Sequence, residues 1–596
     1  MRAGRRTDAG GRRRLLSPTS GDEAATAGGS SLRPAGATQS GDFGASPVEQ
    51  QARADRVETA RFTIRRPALL ISISLGAATL ALRLAVMGQT PTEWDSVQYV
   101  LGVDRFDVRQ DSPHAPGYWL YIVAGRAVRA LTPFDANRSL VIVAALASAA
   151  LVVVTYLVGR GLGGEWLGLG AAALVGTSPF VWFYGSVAAT YGFDALVGVT
   201  LVLLALRARP GSHHVVVAAL VLGLAAGFRP TMVVMFAALA LLIAVRSIRG
   251  LRLAAAALAA GLAGLLAWLV PMLLEQPGGL TAWRSASSTM FLNAAKQTSL
   301  LTGSPDGWSN VARAVSATAI ALAPAFIAGA IAALMCLVRG TAQDSGGRGS
   351  RATLTLIVAG IPGLVFVALT HFPKRGYVLA FLPPLVLLAL LPAARIVGPG
   401  RTVVALVIAG LTLLNIQQFL GAPTVVPLAL INHDVLWIAQ GRPGAPYPLT
   451  RAEIRRVDER SLHYDRLRAA IDPHTEVIVF DMNHTPEYYR YATYSLPEYR
   501  IDLVEGRTVW RTAWGRQQRV VMSHRIIVPQ GGDAVLVMDA PSPDVNDLIA
   551  RGLATPVGLP GGPVAVRIRP GTTLFGLPIA EGDPEPTRVA SHLCQS

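Results

Sequence analysis

The chain has 596 residues, of which 52% are hydrophobic and 15% charged, and its formal net charge is +16. Soluble globular proteins carry about 25% charged residues, so this composition excludes a single soluble domain, and it also excludes disordered, collagen-like and disulfide-scaffold classes. The positive charge does not indicate a nucleic-acid partner, because the arginines stand in short clusters between apolar blocks, where they orient a membrane protein.

Residues 1–66 are rich in Gly, Ala, Ser and Arg and poor in large apolar side chains. Such a segment cannot bury enough apolar surface to offset its ordering entropy, so we expect a disordered tail. No apolar run follows the cluster at 12–14, which argues against a secretory signal. Arg65 and Arg66 directly precede the first apolar run, so we expect the tail to be cytoplasmic.

Eleven apolar blocks follow, each typical of a transmembrane helix. Every second connection between them is basic, which predicts that these connections are cytoplasmic and that the chain beyond 421 is outside. The basic residues of these connections are Arg160, Arg207, Arg209, Arg246, Arg249, Arg252, Arg339, Arg348, Arg351, Arg395 and Arg401. The predicted spans are 67–88, 139–159, 166–184, 190–206, 214–229, 230–245, 252–274, 312–338, 353–370, 377–394 and 402–421.

For two stretches, the number of membrane crossings does not follow from hydropathy alone. Residues 214–245 would make a helix about 48 Å long at about 1.5 Å per residue, too long for one span. Arg229-Pro230 interrupts this stretch, so we predict two short helices that meet at the outer face. Residues 114–131 are apolar but contain two arginines, and a span here would break the alternation of basic connections. We therefore predict a helix that lies flat at the outer interface.

The predicted outer segments carry the polar motifs. The first, 89–138, contains Trp94-Asp95-Ser96-Val97-Gln98 and His114-Ala115-Pro116-Gly117-Tyr118. A short outer loop leads into Tyr191-Gly192-Phe193-Asp194, and a later one contains His371-Phe372-Pro373-Lys374-Arg375.

In their order and placement, these motifs resemble the GT-C superfamily of membrane glycosyltransferases, which use polyprenyl-phosphate sugars on the outer or lumenal face. Asp95 matches the family's acidic residue in the first outer loop, and Asp194 matches its second acidic site. The stretch from Tyr118 to Phe134 resembles the family's interfacial helix. The pattern at 95–98 and 114–118 is similar to the protein O-mannosyltransferase-like branch, with Gln98 in place of an acidic residue.

The resemblance covers about residues 67–421 and implies a GT-C-like fold. It implies transfer of a hexose or pentose from a polyprenyl-phosphate donor to a glycan, lipid or protein acceptor, on the outer face of the plasma membrane, as part of cell-envelope synthesis. Because a phosphate leaving group needs no general acid, one carboxylate suffices for an inverting reaction. We expect no cofactor, and nothing in the sequence supports a divalent metal ion.

Asp95 is the candidate general base, although an aspartate here could also cap a helix. Asp194 is a second catalytic candidate or a helix-start carboxylate, and His114 orients Asp95 or the acceptor, or is an ordinary loop histidine. Lys374 and Arg375 are candidates for binding the donor phosphate, because basic residues on the outer side run against the usual charge bias.

Five more side chains complete the predicted site. Arg229 is a further phosphate candidate, or it pairs with a neighbouring carboxylate. Trp94, Gln98, Tyr118 and Trp119 are candidates for contacts with sugar or acceptor. For the aromatic side chains among them, the alternative is a membrane-interface belt.

After Gly421 the apolar blocks end, and residues 422–596 predict a small extracytoplasmic α/β domain with an acceptor-binding or scaffolding role. The predicted strands are 475–481, 499–504, 525–528 and 534–539, and the predicted helices are 484–494 and 544–552. Pro- and Gly-rich β-like segments are predicted at the end of the domain. Asp481, Asn483, His484 and Asp539 stand at strand ends, where α/β proteins place sites, or they are ordinary loop residues.

Three other functions stay open. A secondary transporter would carry charges within its spans and internal repeats, which we do not find. A lipid-processing or polymer-linking enzyme of another fold would use similar outer-face residues. A structural anchor for the C-terminal domain would not need eleven spans.

Overall fold

The computed structural model describes residues 66–339, 348–372, 374–421, 449–481, 489–512, 520–538, 542–561 and 564–582. The predicted N-terminal tail, apart from Arg66, lies outside these residues. Up to residue 421 the described chain is helical, and from residue 449 it mixes helices and strands. The helices of the first part are α1 (Arg66–Leu84), α2 (Trp94–Asp104), α3 (Trp119–Leu131), α4 (Ala136–Gly163), α5 (Glu165–Thr177), α6 (Pro179–Tyr184), α7 (Tyr191–Arg207), α8 (His214–Phe228), α9 (Thr231–Met235), α10 (Ala237–Ser247), α11 (Leu251–Glu275), α12 (Gly279–Thr298), α13 (Gly307–Val338), α14 (Arg348–Thr370), α15 (Leu382–Leu390) and α16 (Pro399–Leu420).

Among the described residues, six helices are long and apolar enough to cross a bilayer: α1, α4, α11, α13, α14 and α16. Each coincides with a predicted span, and a crossing needs about 20 apolar residues. The protein is therefore a polytopic helical membrane protein, as the sequence predicts.

The other predicted spans correspond to shorter or interrupted helices. Helix α5 has 13 residues and ends before Ser178, and Pro179 then opens α6. Helix α7 has 17 residues, and the predicted span 377–394 is divided between a 3₁₀ turn and α15. The figure of eleven crossings stays a prediction.

The predicted interruption at Arg229-Pro230 is present. Helix α8 ends at Phe228, and Arg229 is extended, with φ −162° and ψ 108°. A residue before proline is disfavoured in the helical region, which explains the break. A second break that the sequence did not predict falls at Phe236, between α9 and α10.

The predicted flat helix is α3, and it packs one face inward. Tyr121, Ile122 and Gly125 are buried. A Cβ at Gly125 would lie 2.5 Å from Leu140 Cδ2, so the close approach of α3 to α4 requires glycine. Arg126, on another face, forms an ion pair with Glu275 at 2.7 Å. Helix α3 is thus amphipathic, as predicted for an interfacial helix.

The segments predicted to lie outside contact one another. Gly88 N–H donates to the Ser186 carbonyl at 2.9 Å, and Ser96 Oγ donates to the Ala188 carbonyl at 2.7 Å. The Thr298 hydroxyl meets His371 Nδ1 at 2.7 Å. Lys374 also lies 2.9 Å from Asp95, so four segments that are predicted to lie outside meet at one end of the helices.

The predicted inside connections also meet one another. Gly211 N–H donates to the Ser247 carbonyl at 2.7 Å, and Arg246 Nη1 donates to Thr355 Oγ1 at 2.8 Å. Arg351 donates to the Ala208 carbonyl. Alternating crossings require this separation of two sets of loops, whereas the location in the plasma membrane and the orientation of the chain stay predictions.

The C-terminal part contains, within its described residues, a mixed sheet of seven strands in the order β4-β3-β2-β1-β6-β8-β7 and a smaller sheet of three in the order β5-β10-β9. Strand β1 pairs in parallel with β2 and β6 at the centre. The strands are β1 (Glu476–Asp481), β2 (Arg500–Glu505), β3 (Thr508–Thr512), β4 (Val520–Ser523), β5 (Ile526–Val528), β6 (Asp533–Met538), β7 (Ala554–Val557), β8 (Val564–Ile568), β9 (Thr573–Leu574) and β10 (Leu577–Glu581). The helices are α17 (Arg451–Ala470), α18 (Tyr489–Ser495) and α19 (Pro543–Ala550).

The small α/β domain is therefore confirmed, with three elements that the sequence did not predict: α17, β3 and β4. Asp481 is buried at the end of β1. Asn483, His484 and Asp539 lie outside the described residues.

Helix α17 is hydrogen-bonded to the loop that follows α1, which is predicted to lie outside. Asp458 Oδ1 accepts hydrogen bonds from the backbone N–H groups of Gln89 and Thr90 and from Thr90 Oγ1, each at 2.9 Å. Tyr494 of α18 packs against the hydrophobic cluster of α2 and α3, and Trp94 packs against the cluster of the C-terminal domain. The C-terminal domain thus holds the segment that leads into α2.

Candidate functional site

Two carboxylates at the start of α2 share one lysine. Lys374 Nζ lies 2.9 Å from Asp95 Oδ2 and 3.4 Å from Glu93 Oε2. Glu93 occupies the N-cap position of α2, and its backbone N–H donates to Ser96 Oγ at 3.3 Å. Asp95 therefore does not cap the helix, and its carboxylate meets the predicted phosphate-binding lysine instead.

This cluster, formed by Glu93, Asp95 and Lys374, is partly open. The side chains of Asp95 and Lys374 are 20% and 25% exposed, whereas that of Glu93 is 7% exposed. A ligand from outside can therefore reach Asp95 and Lys374 more easily than Glu93.

The surroundings push the two carboxyl pKa values apart. Burial raises the pKa of Asp95, but the charges of Lys374 and His114 lower it more, to about 2. Burial dominates at Glu93 and raises its pKa above the usual value. Burial lowers the pKa of Lys374, but Asp95 and Glu93 raise it more, so its net shift is upward. At neutral pH, Asp95 is thus a carboxylate paired with an ammonium group.

Aromatic side chains hold this cluster in place. The Tyr184 hydroxyl, at the end of α6, donates to Glu93 Oε1 at 3.1 Å. The Tyr184 and Tyr191 rings pack edge to face with centroids 4.8 Å apart. A Cβ at Gly376 would lie 2.3 Å from Tyr191 Cδ2, so the segment bearing Lys374 approaches this ring closely because residue 376 is glycine.

A second ion pair lies beside the cluster and is closed. Arg229 Nη1 lies 2.6 Å from Asp194 Oδ2, with side chains 4% and 0% exposed. The guanidinium carbon of Arg229 stands over the rings of Tyr377, at 4.0 Å, and Tyr191, at 4.8 Å. Such contacts stabilise a buried cation. The sequence left open whether Arg229 pairs with a carboxylate, and the structure shows that it does.

His114 is buried among tyrosines at the same end of the helices. Its Nε2 lies 3.1 Å from the Tyr118 hydroxyl, and its ring lies 5.6 Å from that of Tyr99. His114 thus stands near enough to Asp95 to lower the pKa of that carboxyl group. His371 contacts Thr298, and burial lowers its pKa to about 4, so it is neutral at pH 7.

The remaining predicted site residues are dispersed. Gln98 is fully buried in α2, and Arg375 is 8% exposed at the start of a 3₁₀ turn. Trp94 faces the C-terminal domain. The Trp119 indole N–H donates to Glu275 Oε2 at 3.0 Å, so its polar edge is turned towards the end of α11.

Glu93, Tyr184 and Tyr377 were not among the residues that the sequence predicted. The available signal was the spacing of Glu93 and Asp95, which places two carboxylates within one helical turn. The two tyrosines are recognised only from the packing. Among the described residues, no group of three His, Cys, Asp or Glu side chains is arranged to hold a metal ion.

No protein-family profile matches this sequence, and no curated protein matches it. Two solved structures are similar to it, both of ArnT from Cupriavidus metallidurans, in the apo state and bound to undecaprenyl phosphate. The TM-scores are 0.48 and 0.46 at 14% and 12% identity, and the alignments cover 84% and 83% of this chain and 98% and 97% of those chains. A likeness at this level assigns neither residues nor substrate to this protein.

Proposed function

We propose that this protein is a GT-C-type membrane glycosyltransferase that moves a sugar from a polyprenyl-phosphate donor to a hydroxyl group of an acceptor on the outer face of the plasma membrane. One observation carries the proposal: an accessible carboxylate, Asp95, lies in contact with an accessible ammonium group, Lys374, where the predicted outer loops meet. A base and a phosphate-binding cation placed side by side suit the attack of a hydroxyl on a sugar phosphate.

The reaction divides naturally between these two groups. The acceptor oxygen attacks the anomeric carbon and forms the new glycosidic bond, while the bond from that carbon to the phosphate oxygen breaks. The acceptor proton passes to Asp95, and the electron pair leaves with the polyprenyl phosphate, whose charge Lys374 neutralises. A single displacement inverts the anomeric configuration.

Donor binding also prepares the base. In the free protein Lys374 holds the pKa of Asp95 near 2, which makes the carboxylate a weak base. A donor phosphate that draws Lys374 towards itself weakens this ion pair, and burial then raises the pKa of Asp95 towards the range of an effective base. Arg229, fixed by Asp194, adds positive charge nearby, and Arg375 is a further candidate for a phosphate contact.

The test is transfer by purified full-length protein in lipid nanodiscs. Polyprenyl-phosphate hexoses and pentoses with a labelled sugar are supplied together with membranes that provide acceptors, and the labelled product is identified. We expect labelled product and free polyprenyl phosphate in equal amounts, and an inverted anomeric configuration in the product. If no donor of either class is consumed, or if consumption is unchanged in Asp95→Asn, the proposed function is wrong.

A further inference from the structure

A pocket lies between the C-terminal domain and the loop that leads to Asp95. Its volume is about 370 Å³, and its walls come from residues 90–92, helix α17 and the segment 491–497. Small-ligand sites occupy about 300–1,000 Å³, so the pocket is large enough for a compact ligand. Thr92 lies in its wall and directly precedes Glu93 in sequence, so this wall continues along the chain into the segment that carries Glu93 and Asp95.

The pocket combines aromatic and hydrogen-bonding groups. Three tyrosines, Tyr464, Tyr491 and Tyr494, and two serines, Ser461 and Ser495, are among the residues that line it. The Ser461 hydroxyl donates to the Asp458 carbonyl at 2.6 Å and can still accept a hydrogen bond. Ring faces pack against the C–H faces of sugars, while hydroxyl groups exchange hydrogen bonds with sugar hydroxyls. This is the chemistry of a site for a polyhydroxylated ligand.

Both arginines in the lining of the pocket already pair with carboxylates. Arg456 makes two hydrogen bonds to Glu453, at 2.9 and 2.7 Å. Arg468 pairs with Glu498 at 2.7 Å and with Asp465 at 3.1 Å. A phosphate or an acidic sugar would have to compete with these carboxylates for the arginines, whereas a neutral sugar would not.

We infer that this pocket binds the neutral glycan end of the acceptor and presents one of its hydroxyl groups to Asp95. The inference rests on the proposed function for the direction of transfer, but the binding of a neutral glycan does not depend on it. The C-terminal domain thereby selects the acceptor, while the helical domain binds the donor.

The test fills the pocket from two sides in the full-length protein. Ser495→Trp acts from α18 and Ser461→Trp from α17, and Ala469→Trp on the exposed surface of α17 outside the pocket is the matched control. The probes are fluorescently labelled neutral oligosaccharides of hexose or pentose units, and binding is measured by fluorescence anisotropy in nanodiscs. Thermal unfolding of each variant is recorded, and if one filling variant is misfolded the other decides.

We expect at least one neutral oligosaccharide to bind the unchanged protein, and both filling variants to bind it about tenfold more weakly or worse, which is a loss of about 1.4 kcal/mol. Ala469→Trp should bind it as the unchanged protein does, and inorganic phosphate should not compete. In transfer assays the filling variants should raise KM for the acceptor while donor affinity stays constant.

Three results would overturn the inference: no neutral oligosaccharide binds, inorganic phosphate competes with the probe, or the filling variants bind and use the acceptor like the unchanged protein. Failure of the proposed function gives a different result. In that case the oligosaccharide still binds and is lost on filling, but no donor sugar is transferred.

Discussion

Two ion pairs lie at the same end of the helices and differ in their access to solvent. Asp95 and Lys374 are each exposed by a fifth or more, whereas Asp194 and Arg229 are exposed by 4% or less. Both pairs join an aspartate on a helix to a basic residue of a distant loop. Because of this difference in burial, Lys374 can exchange its carboxylate for a substrate group. Arg229 cannot do so unless the fold opens.

The two pairs also differ in composition. Lys374 is shared between two carboxylates, and one of these, Glu93, keeps a hydrogen bond from Tyr184 when the ammonium group moves. Arg229 has one carboxylate and lies over two rings, which fixes its position. We therefore assign the chemistry to the pair of Asp95 and Lys374, called the open pair. We assign the placement of a fixed positive charge to the pair of Asp194 and Arg229, called the closed pair.

The largest expected effect is on the rate of transfer in Asp95→Asn. Asparagine keeps the shape of the side chain but cannot accept the acceptor proton, and general base catalysis contributes about 10²- to 10⁴-fold. We expect a rate loss in that range with donor affinity nearly unchanged, measured with labelled donor. The matched control is Asp104→Asn at the other end of α2, where Asp104 pairs with Arg129 at 2.6 Å near the surface. Equal activity in both variants would remove Asp95 from the role of base.

Removing the carboxylate of the closed pair should lower the stability of the protein. Asp194→Asn leaves the charge of Arg229 buried without a carboxylate, and breaking such a pair costs about 3–5 kcal/mol. We expect a clearly lower Tm in detergent, whereas Asp95→Asn should lower it less, because solvent screens the partly exposed pair of Asp95 and Lys374. A double-mutant cycle with Arg229→Gln measures the coupling. An Asp194→Asn protein with normal Tm but no transfer would place Asp194 in the chemistry, as the sequence suggested.

The sequence predicted those features that depend on local pattern. Hydropathy located the long helices, and the proline after Arg229 located the break between α8 and α9. Asp95 was singled out because its position after the first span matches the acidic residue of the family that the sequence resembles. Helix α17 was missed because its sequence is strongly charged and carries no apolar block.

The partners within the site could not be predicted in the same way. Glu93 and Lys374 are 281 positions apart in sequence, and they meet where the segment of Gly376 packs against Tyr191. The carboxylate that pairs with Arg229 was likewise beyond the reach of local pattern, because α7 and the end of α8 meet only in the folded chain. Several charged side chains of the site could thus be predicted from the sequence, whereas their contacts with one another are visible only in the tertiary structure.

The role of Lys374 can be tested by measuring the affinity of its variants for the donor. A hydrogen bond to a charged group contributes about 1.5–3 kcal/mol, so Lys374→Ala should weaken donor binding by about ten- to a hundredfold. Arg375 is largely buried, so we expect a smaller loss of donor affinity in Arg375→Ala. Binding of a polyprenyl-phosphate sugar to purified variants decides, with Lys296→Ala on α12 as the control. Unchanged affinity in Lys374→Ala would direct the search for the phosphate site to Arg229.

The pH dependence of transfer should show how Lys374 controls Asp95. Burial raises the pKa of Asp95, and Lys374 is the largest influence that lowers it. In Lys374→Met the pKa of this carboxyl group should therefore rise, and protonation should inhibit the residual activity at a higher pH. The acid limb of kcat/KM should move upward relative to the unchanged protein. An acid limb at the same pH in both proteins would show that the pair seen in the structure does not control the base.

The smallest expected effect concerns the connection between the C-terminal domain and the open pair. Asp458 accepts three hydrogen bonds from Gln89 and Thr90, three to four residues before Glu93, and so fixes the path of the chain into α2. A hydrogen bond contributes about 0.5–1.5 kcal/mol, so Asp458→Ala should lower kcat by about two- to tenfold. Donor affinity should stay constant, because Asp458 lies on α17 and Lys374 is unaffected. Asp458→Asn keeps an acceptor oxygen and should restore most of the rate, whereas Asp547→Ala, which removes an exposed pair on α19, should change nothing. A loss of rate that asparagine does not restore would mean that Asp458 acts by its charge rather than by holding the loop.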